Sequence, residues 1–418
     1  MAPYRGTRLL SRWGFRRGRV LDDQLLAELT RNPDQLPRTS RGQWWLMGVS
    51  VLIVLVALGC LCGAVLVWAR EGWPAGVRVL ASLGLLALVA LLFPAPLQVP
   101  RGAQIPQDQG RELRRLVDQV AAAVGTRSPD AIVIDMSLNA GVARFGWRQQ
   151  TLLVIGAPLW AMLPPAGRLS VLAHEFGHLV NKDPMRSVLT LPARTFGDRA
   201  VAATGGRNPW RRALAGADSA TWHGAGVAGV LVHGTLALIN TVTATVQLLV
   251  DSAAMPDSRR AEYLADLKAR HVGGSEAFVA SAERLLISQG IWQDLWDCAP
   301  RMEASELGEA IERAAHHRAH EVTVLRQATL RANDLWSSHP PESDRIALVE
   351  ALAHVEPSVD VSQERWGVID LEMSGWYAHI HHVLLGTRDP IGASERSPGR
   401  GAVLPRHEGR SAIGDVVV

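Results

Sequence analysis

The stretch Arg168-Leu-Ser-Val-Leu-Ala-His-Glu-Phe-Gly-His-Leu-Val-Asn-Lys-Asp183 governs how the rest of the chain is read. Its apolar positions Val171, Leu172, Phe176 and Leu179 recur at helical spacing. On such a helix His174 and His178, four residues apart, project from one face about one turn from each other. Two imidazoles so placed can occupy two corners of a zinc tetrahedron. Glu175 follows the first histidine, which lets its carboxylate reach a water at the metal without joining the ligands. This is the His-Glu-x-x-His arrangement of a zinc hydrolase. The bland alternative is a helix with two satisfied histidines, where burying them with a glutamate between is costly unless hydrogen bonds rather than a metal compensate.

A catalytic zinc needs a third protein ligand and one open position. The best source is Asp257-Ser-Arg-Arg-Ala-Glu262-Tyr-Leu-Ala-Asp266. Glu262 and Asp266 are again one turn apart on an expected helix. One carboxylate can ligate while the other accepts the free N–H of a ligating histidine. A further landmark is Ser338-His339-Pro340-Pro341-Glu342-Ser343-Asp344-Arg345, whose double proline holds His339 in an extended turn. Ahead of the histidine helix, Ala131–Asp135, Val142–Gly146 and Thr151–Ile155 read as short strands, and such a sheet offers an edge to an extended peptide. His316, His317 and His320, on an expected helix with Glu312 and Arg313, and His379, His381 and His382 would bind metal only with further ligands and are read as structural.

Working outward, apolar residues make up 48% of the 418 and charged residues 20%, too apolar for a disordered chain. The surplus is concentrated. Leu46–Trp68 is an uncharged run of 23 residues, long enough as a helix to cross the roughly 30 Å hydrocarbon layer. Val79–Leu97 is a second uncharged run, and Trp44, Trp45, Trp68 and Trp73 stand at the expected water–lipid boundaries. The run begins too late and extends too far for a secretory signal. Nine arginines precede it, against two around the intervening turn, so the positive-inside rule puts both outer flanks, and everything after residue 100, in the cytoplasm. Residues 1–41 carry a net +5, yet this basic block precedes a membrane run rather than lining a folded domain, so nucleic acid is not an expected partner. Three cysteines, Cys60, Cys62 and Cys298, form no disulfide or zinc framework.

Taken together, the His-Glu-x-x-His motif, the distant Glu262-x-x-x-Asp266 and the His339-Pro-Pro with Arg345 resemble the HtpX-like and CAAX-prenyl-endopeptidase family of membrane-bound zinc metallopeptidases. The resemblance covers roughly residues 104–352. It implies one zinc ion per chain held by His174, His178 and Glu262, with Glu175 as general base. It places Asp266 and Arg345 behind the ligands, makes His339 a catalytic residue that steadies the oxyanion, and marks Asn139-Ala140 as the start of a substrate-pairing edge strand, although Val142 stands where an alanine is usual. Members of that family usually carry two more membrane helices between the histidines and the glutamate. Here the only long apolar segment is Gly224–Val250. Ligands of one ion cannot be separated by an odd number of crossings, so this segment is expected to dock in the interface, roof the site, or re-enter with a break near Gly234.

The expected architecture is therefore mainly α with a small β-sheet (α+β), a zincin-type peptidase domain behind a transmembrane helical hairpin. Residues 1–45 form a basic cytoplasmic segment, loose apart from a short helix over Leu21–Leu29; residues 46–98 form the hairpin, 104–386 the peptidase domain, and 387–418 a disordered tail. The expected activity is cytoplasmic-side endoproteolysis of peptide or membrane-protein substrates at the cell membrane, in quality control or stress response. Prenyl-peptide processing and an inactive membrane adaptor are the rival readings. Oligomeric state is left open.

Overall fold

A computed structural model describes residues 5–33, 41–69, 71–92, 105, 109–146, 148–180, 190, 192, 227–331 and 339–386. The expected tail at 387–418, the flank Lys182-Asp183 and most of the stretch 181–226 lie outside the described residues. The architecture is α+β: helices surround a three-stranded sheet with strand order β1-β3-β2. β1 (Ala131–Asp135) runs parallel to β3 (Gln150–Gly156), and β2 (Ala140–Phe145) pairs antiparallel with it. β2 begins two residues earlier than the sequence suggests, so Ala140 is part of the strand. The two-residue period sends Ile132, Ile134, Leu153 and Ile155 into the main core and Ala131, Val133, Leu152 and Val154 to the other face.

Helix α4 (Arg111–Val124) packs on that core with Leu113, Leu116, Val117, Val120, Ala121 and Val124, an unbroken apolar stripe. Its first backbone N–H groups, at Glu112 and Leu113, donate to the Glu372 carboxylate at 3.0 and 2.9 Å, a cap supplied from the far end of the chain. β3 runs through Gly156 directly into the short helix α5 (Ala157–Met162). A Cβ at Gly156 would lie 2.0 Å from the Ser137 carbonyl, so only glycine lets that loop close on β3. The metal-motif helix α6 (Pro165–Val180) follows. Arg168, near its start, is buried with Nε donating to the Trp160 and Leu163 carbonyls and Nη1 on Asp370 at 2.7 Å.

The apolar segment and the carboxylate motif share one helix. α7 runs without interruption from Val227 to Gly273, 47 residues, with Pro256 inside it. Helical hydrogen bonding carries on through Gly234, so the expected break there does not form. Val246 and Leu249 on this helix are exposed, and Val250 with Ala253 and Ala254 packs against Leu46, Val49 and Ile53 of α2 (Arg41–Leu66). α2 with its 3-10 extension, Gly42–Ala69, is the described helix long and apolar enough to cross a membrane. Many of its apolar side chains, Leu52, Leu55 and Val65 among them, face outward. α3 (Ala75–Leu92) packs back along it, tied by Trp68 Nε1 donating to Ser82 Oγ and Ser82 Oγ donating to the Ala64 carbonyl. At 18 residues α3 is shorter than the expected second span, which continued into residues outside the described set.

The N-terminal expectation needs correction. Residues 5–31 are one helix, α1, rather than a loose segment with a short helix at Leu21–Leu29. Leu25 and Leu29 are buried against Tyr263, Leu264 and Leu348, apolar partners more than two hundred positions downstream. That burial, invisible to local pattern, stabilises a helix whose arginine-rich first half offers few apolar side chains.

The remaining helices, α8 (Ser275–Leu286), α9 (Ser288–Cys298), α10 (Leu307–Arg318), α11 (Val322–Arg331), α12 (Glu342–Ala351) and α13 (Gln363–Leu384), complete the domain.

Candidate metal centre

α6 and α7 cross so closely that their backbones nearly touch. A Cβ at Gly177 would sit 2.8 Å from Ala265 Cα, and one at Gly273 would sit 2.0 Å from Ser170 Oγ. Glycine at both crossings lets the helices approach, which brings the His174–His178 face of α6 onto the Glu262–Asp266 face of α7. His174 Nε2 lies 3.3 Å from His178 Nε2 and 3.5 Å from Glu262 Oε2, and His178 Nε2 lies 3.6 Å from Glu262 Oε1. Ligands about 2.05 Å from a tetrahedral zinc are separated by about 3.4 Å, so the three side chains stand close to the edges of such a tetrahedron. Among the described residues this is the one group of three or more His, Cys, Asp or Glu side chains with the geometry to hold a metal.

The residues behind the ligands fix their orientation. His174 Nδ1 donates to Asp266 Oδ1 at 2.9 Å, which leaves Nε2 facing the centre. Arg345, at the start of α12, grips Asp266 in bidentate fashion, Nε to Oδ2 at 2.9 Å and Nη2 to Oδ1 at 2.6 Å. Its Nη1 is in turn held by Glu342 at 2.7 Å. His339 Nδ1 donates to Glu262 Oε2 at 2.7 Å, so the Pro340-Pro341 turn delivers this ring to the edge of the centre. The expected residues His174, His178, Glu262, Asp266, Arg345 and His339 thus converge, from segments separated by up to 171 positions. His339, expected to steady a substrate oxyanion, contacts the carboxylate of Glu262. Glu342 was not anticipated, although its position three residues before Arg345 on one helix face was a usable signal.

Electrostatics show what the pocket is built for. Burial opposes a charged His174, but hydrogen bonds to Asp266 and Glu262 outweigh it and push the imidazole up to about 10. Burial likewise opposes an ionised Glu262, yet His174 and His339 hold it well below the usual carboxylate range. Asp266 is lowered against its burial by Arg345. The protein alone therefore demands positive charge where the three ligand atoms meet. A divalent cation meets that demand with both imidazoles neutral, so the donor set fits zinc. Glu175, half-buried beside the ligands, is raised by burial, with the His174 and His178 charges pulling the other way.

The sheet edge lies near this centre. Asn139 and Ala140 sit at the start of β2, which among the described residues is paired on one side only. Ala140 belongs to the same apolar cluster as Val171, one turn before Glu175 on α6. The other histidine groups have local roles: His317 contacts Asp294, His320 its own turn, and His381 the Ala299 carbonyl.

The sequence model of peptidase family M48 matches residues 107–353, more than half of the chain and every residue of the centre. The chain belongs to peptidase family M48. This is a family of zinc-dependent proteases, typically membrane-associated, which agrees with the ligand set and with the apolar helix Gly42–Ala69. No curated protein and no solved structure matches the chain.

Proposed function

We propose that this M48 member is a membrane-anchored zinc endopeptidase that cleaves peptide bonds on the cytoplasmic side, in quality control or stress-related turnover of membrane proteins. The observation that carries the reading is the meeting of His174, His178 and Glu262 at tetrahedral spacing with Glu175 alongside. Zinc held by these three would supply a Lewis acid able to polarise a carbonyl and acidify water. Glu175 has the position to take the proton of the attacking water and deliver it to the leaving amine, and its burial-raised basicity suits both transfers. Asp266 and Arg345 keep His174 in the tautomer that faces the metal. The free edge of β2 offers backbone groups to an extended substrate, with Asn139 and Ala140 at its start. His339, half-exposed on the solvent side of Glu262, is assigned the role of steadying the developing oxyanion.

Membrane anchoring rests on α2 and its packing with α3, and the cytoplasmic side rests on the arginine excess before the first span. Membrane-protein turnover is favoured over prenyl-peptide processing because α2 and α3, the two spans the sequence supports, enclose no large chamber among the described residues. Glu175→Gln is expected to retain zinc and lose proteolysis by about 10²–10⁴-fold. Cleavage at the wild-type rate by the zinc-loaded variant would refute the general-base role. A reporter fused after residue 110 should behave as cytoplasmic. Proteins trapped by Glu175→Gln and identified by mass spectrometry give the substrate class, with prenylated peptides as the contrary outcome.

A further inference from the structure

The helical turn that carries Glu262 presents two adjacent faces. Glu262 and Asp266, four apart, meet His174; Arg259 and Tyr263, also four apart, meet the N-terminal helix α1. Arg259 and Asp22 are both fully buried and joined by a charge-assisted hydrogen bond between Arg259 Nη1 and Asp22 Oδ2. Six residues further along α1, Glu28 takes both terminal guanidinium nitrogens of Arg260 at 3.2 Å. Leu25 and Leu29 fill the space between these pairs against Tyr263 and Leu264 of α7 and Leu348 of α12. Arg19 Nη1 reaches Asp344 Oδ1 at 4.0 Å, and Asp344 is the neighbour of Arg345. α1 therefore spans the two helices on which the metal centre depends: the one that carries Glu262 and Asp266, and the one whose arginine holds Asp266.

We infer that α1 is a positioning element for the metal centre and that Asp22 is its anchoring residue, setting the rotation of the Glu262 turn through Arg259. The inference rests on the zinc reading above. A buried guanidinium needs opposite charge in place, and Asp22 supplies it from α1, so the Arg259–Asp22 pair constrains the azimuth of α7 about its own axis. Rotation of that turn swings Glu262 directly, because Arg259 and Glu262 are three residues apart on one rigid helix. Metal sites tolerate about 0.2 Å of ligand error, far less than a helix held by apolar packing alone needs to respect. α1 also leads, through residues 34–40, into the apolar helix α2, which ties the centre to the membrane-facing part of the chain.

The test uses the full-length protein in detergent, with cobalt(II) as a spectroscopic probe of the zinc site. Wild-type protein should bind one cobalt with the visible absorption of a tetrahedral site, and His174→Ala should abolish it. Asp22→Asn is expected to weaken cobalt binding about tenfold, the lower end of what removing a partner behind a ligand does, and to alter the band shape. A merely structural role would lower the melting temperature and leave the spectrum unchanged. Leu29→Val strands no charge and Glu28→Gln keeps an amide acceptor on Arg260, so they report even where Asp22→Asn folds poorly. Each is expected to weaken cobalt about two- to five-fold. Wild-type affinity and spectrum in both, or in folded Asp22→Asn, overturns the positioning role. Absence of cobalt binding in the wild type instead overturns the zinc reading.

Discussion

Gly177→Ala probes the feature that brings the ligands together. The added Cβ would lie 2.8 Å from Ala265 Cα and 3.1 Å from Ala265 Cβ. Carbon atoms in contact prefer about 3.5–4.0 Å, so α6 and α7 must separate by about 1 Å or deform locally. Overpacking of this kind costs about 1–3 kcal/mol. Where the cost falls depends on whether the metal-free helices relax. If they stay together, the strain lowers the stability of the metal-free protein. If they part, His178 and Glu262 part with them, the metal must draw them back, and the loss moves to zinc affinity, about 5- to 150-fold for the whole amount. The two losses should therefore sum to about 1–3 kcal/mol. Thermal melting of the metal-free protein gives the first, and zinc titration against a chelator gives the second. Adding Ala265→Gly removes the 3.1 Å contact but not the 2.8 Å contact with Cα, so it should recover only part of the sum. If both losses stay within about 0.5 kcal/mol of wild type, the helices are not in the close approach described and the argument fails.

Other expectations are more direct. Arg345→Met leaves Asp266 buried without its bidentate partner and should destabilise by about 3–5 kcal/mol or force Asp266 to take a proton, with zinc affinity falling in either case; unchanged melting and unchanged zinc affinity would contradict the site. Arg345→Lys should recover little, since a single ammonium cannot reproduce the fork. Asp344 is raised to about 6, by burial first and then by Asp22. A carboxyl raised on folding takes up a proton between pH 4 and 6, so its ionised form weakens the fold above pH 6 and has no effect well below pH 4. Asp344→Asn should therefore raise the melting temperature at pH 8 but not at pH 4; an equal effect at both would refute the burial argument. On the rim, Arg313→Ala removes an ion pair with Glu309 whose side chains are both mostly exposed, and melting should barely move.

Much of the centre was legible because zinc chemistry imposes local spacing. His174 and His178 must be four apart to share a helix face, and Glu262 and Asp266 obey the same rule, so each half of the site is written within one turn. The sheet was legible from short apolar runs, apart from the start of β2, where Asn139-Ala140 has no alternation to mark it. Three things were not. Gly224–Val250 read as a separate apolar segment, but its described part, from Val227, is the first half of the helix that carries Glu262, because neither Gly234 nor Pro256 ends it. The N-terminal helix read as loose, since its arginine-rich first half gives almost no apolar stripe. Glu342 was passed over because its value comes only from the arginine it steadies.

The sequence by itself determined the class of chemistry, that of peptidase family M48, and singled out His174, His178 and Glu262 as candidate ligands, Glu175 beside them and the long apolar run at 46–68. These depend on residue type and on spacings of two to four residues, which the backbone geometry of a helix or strand converts directly into shared faces. The tertiary structure alone decided which faces meet. It set α6 against α7 through Gly177 and Ala265, turned His339 onto Glu262 and brought Asp22 to Arg259, 237 positions away. Such contacts follow from the burial of whole surfaces and the pairing of buried charge, and neither leaves a periodic trace along the chain.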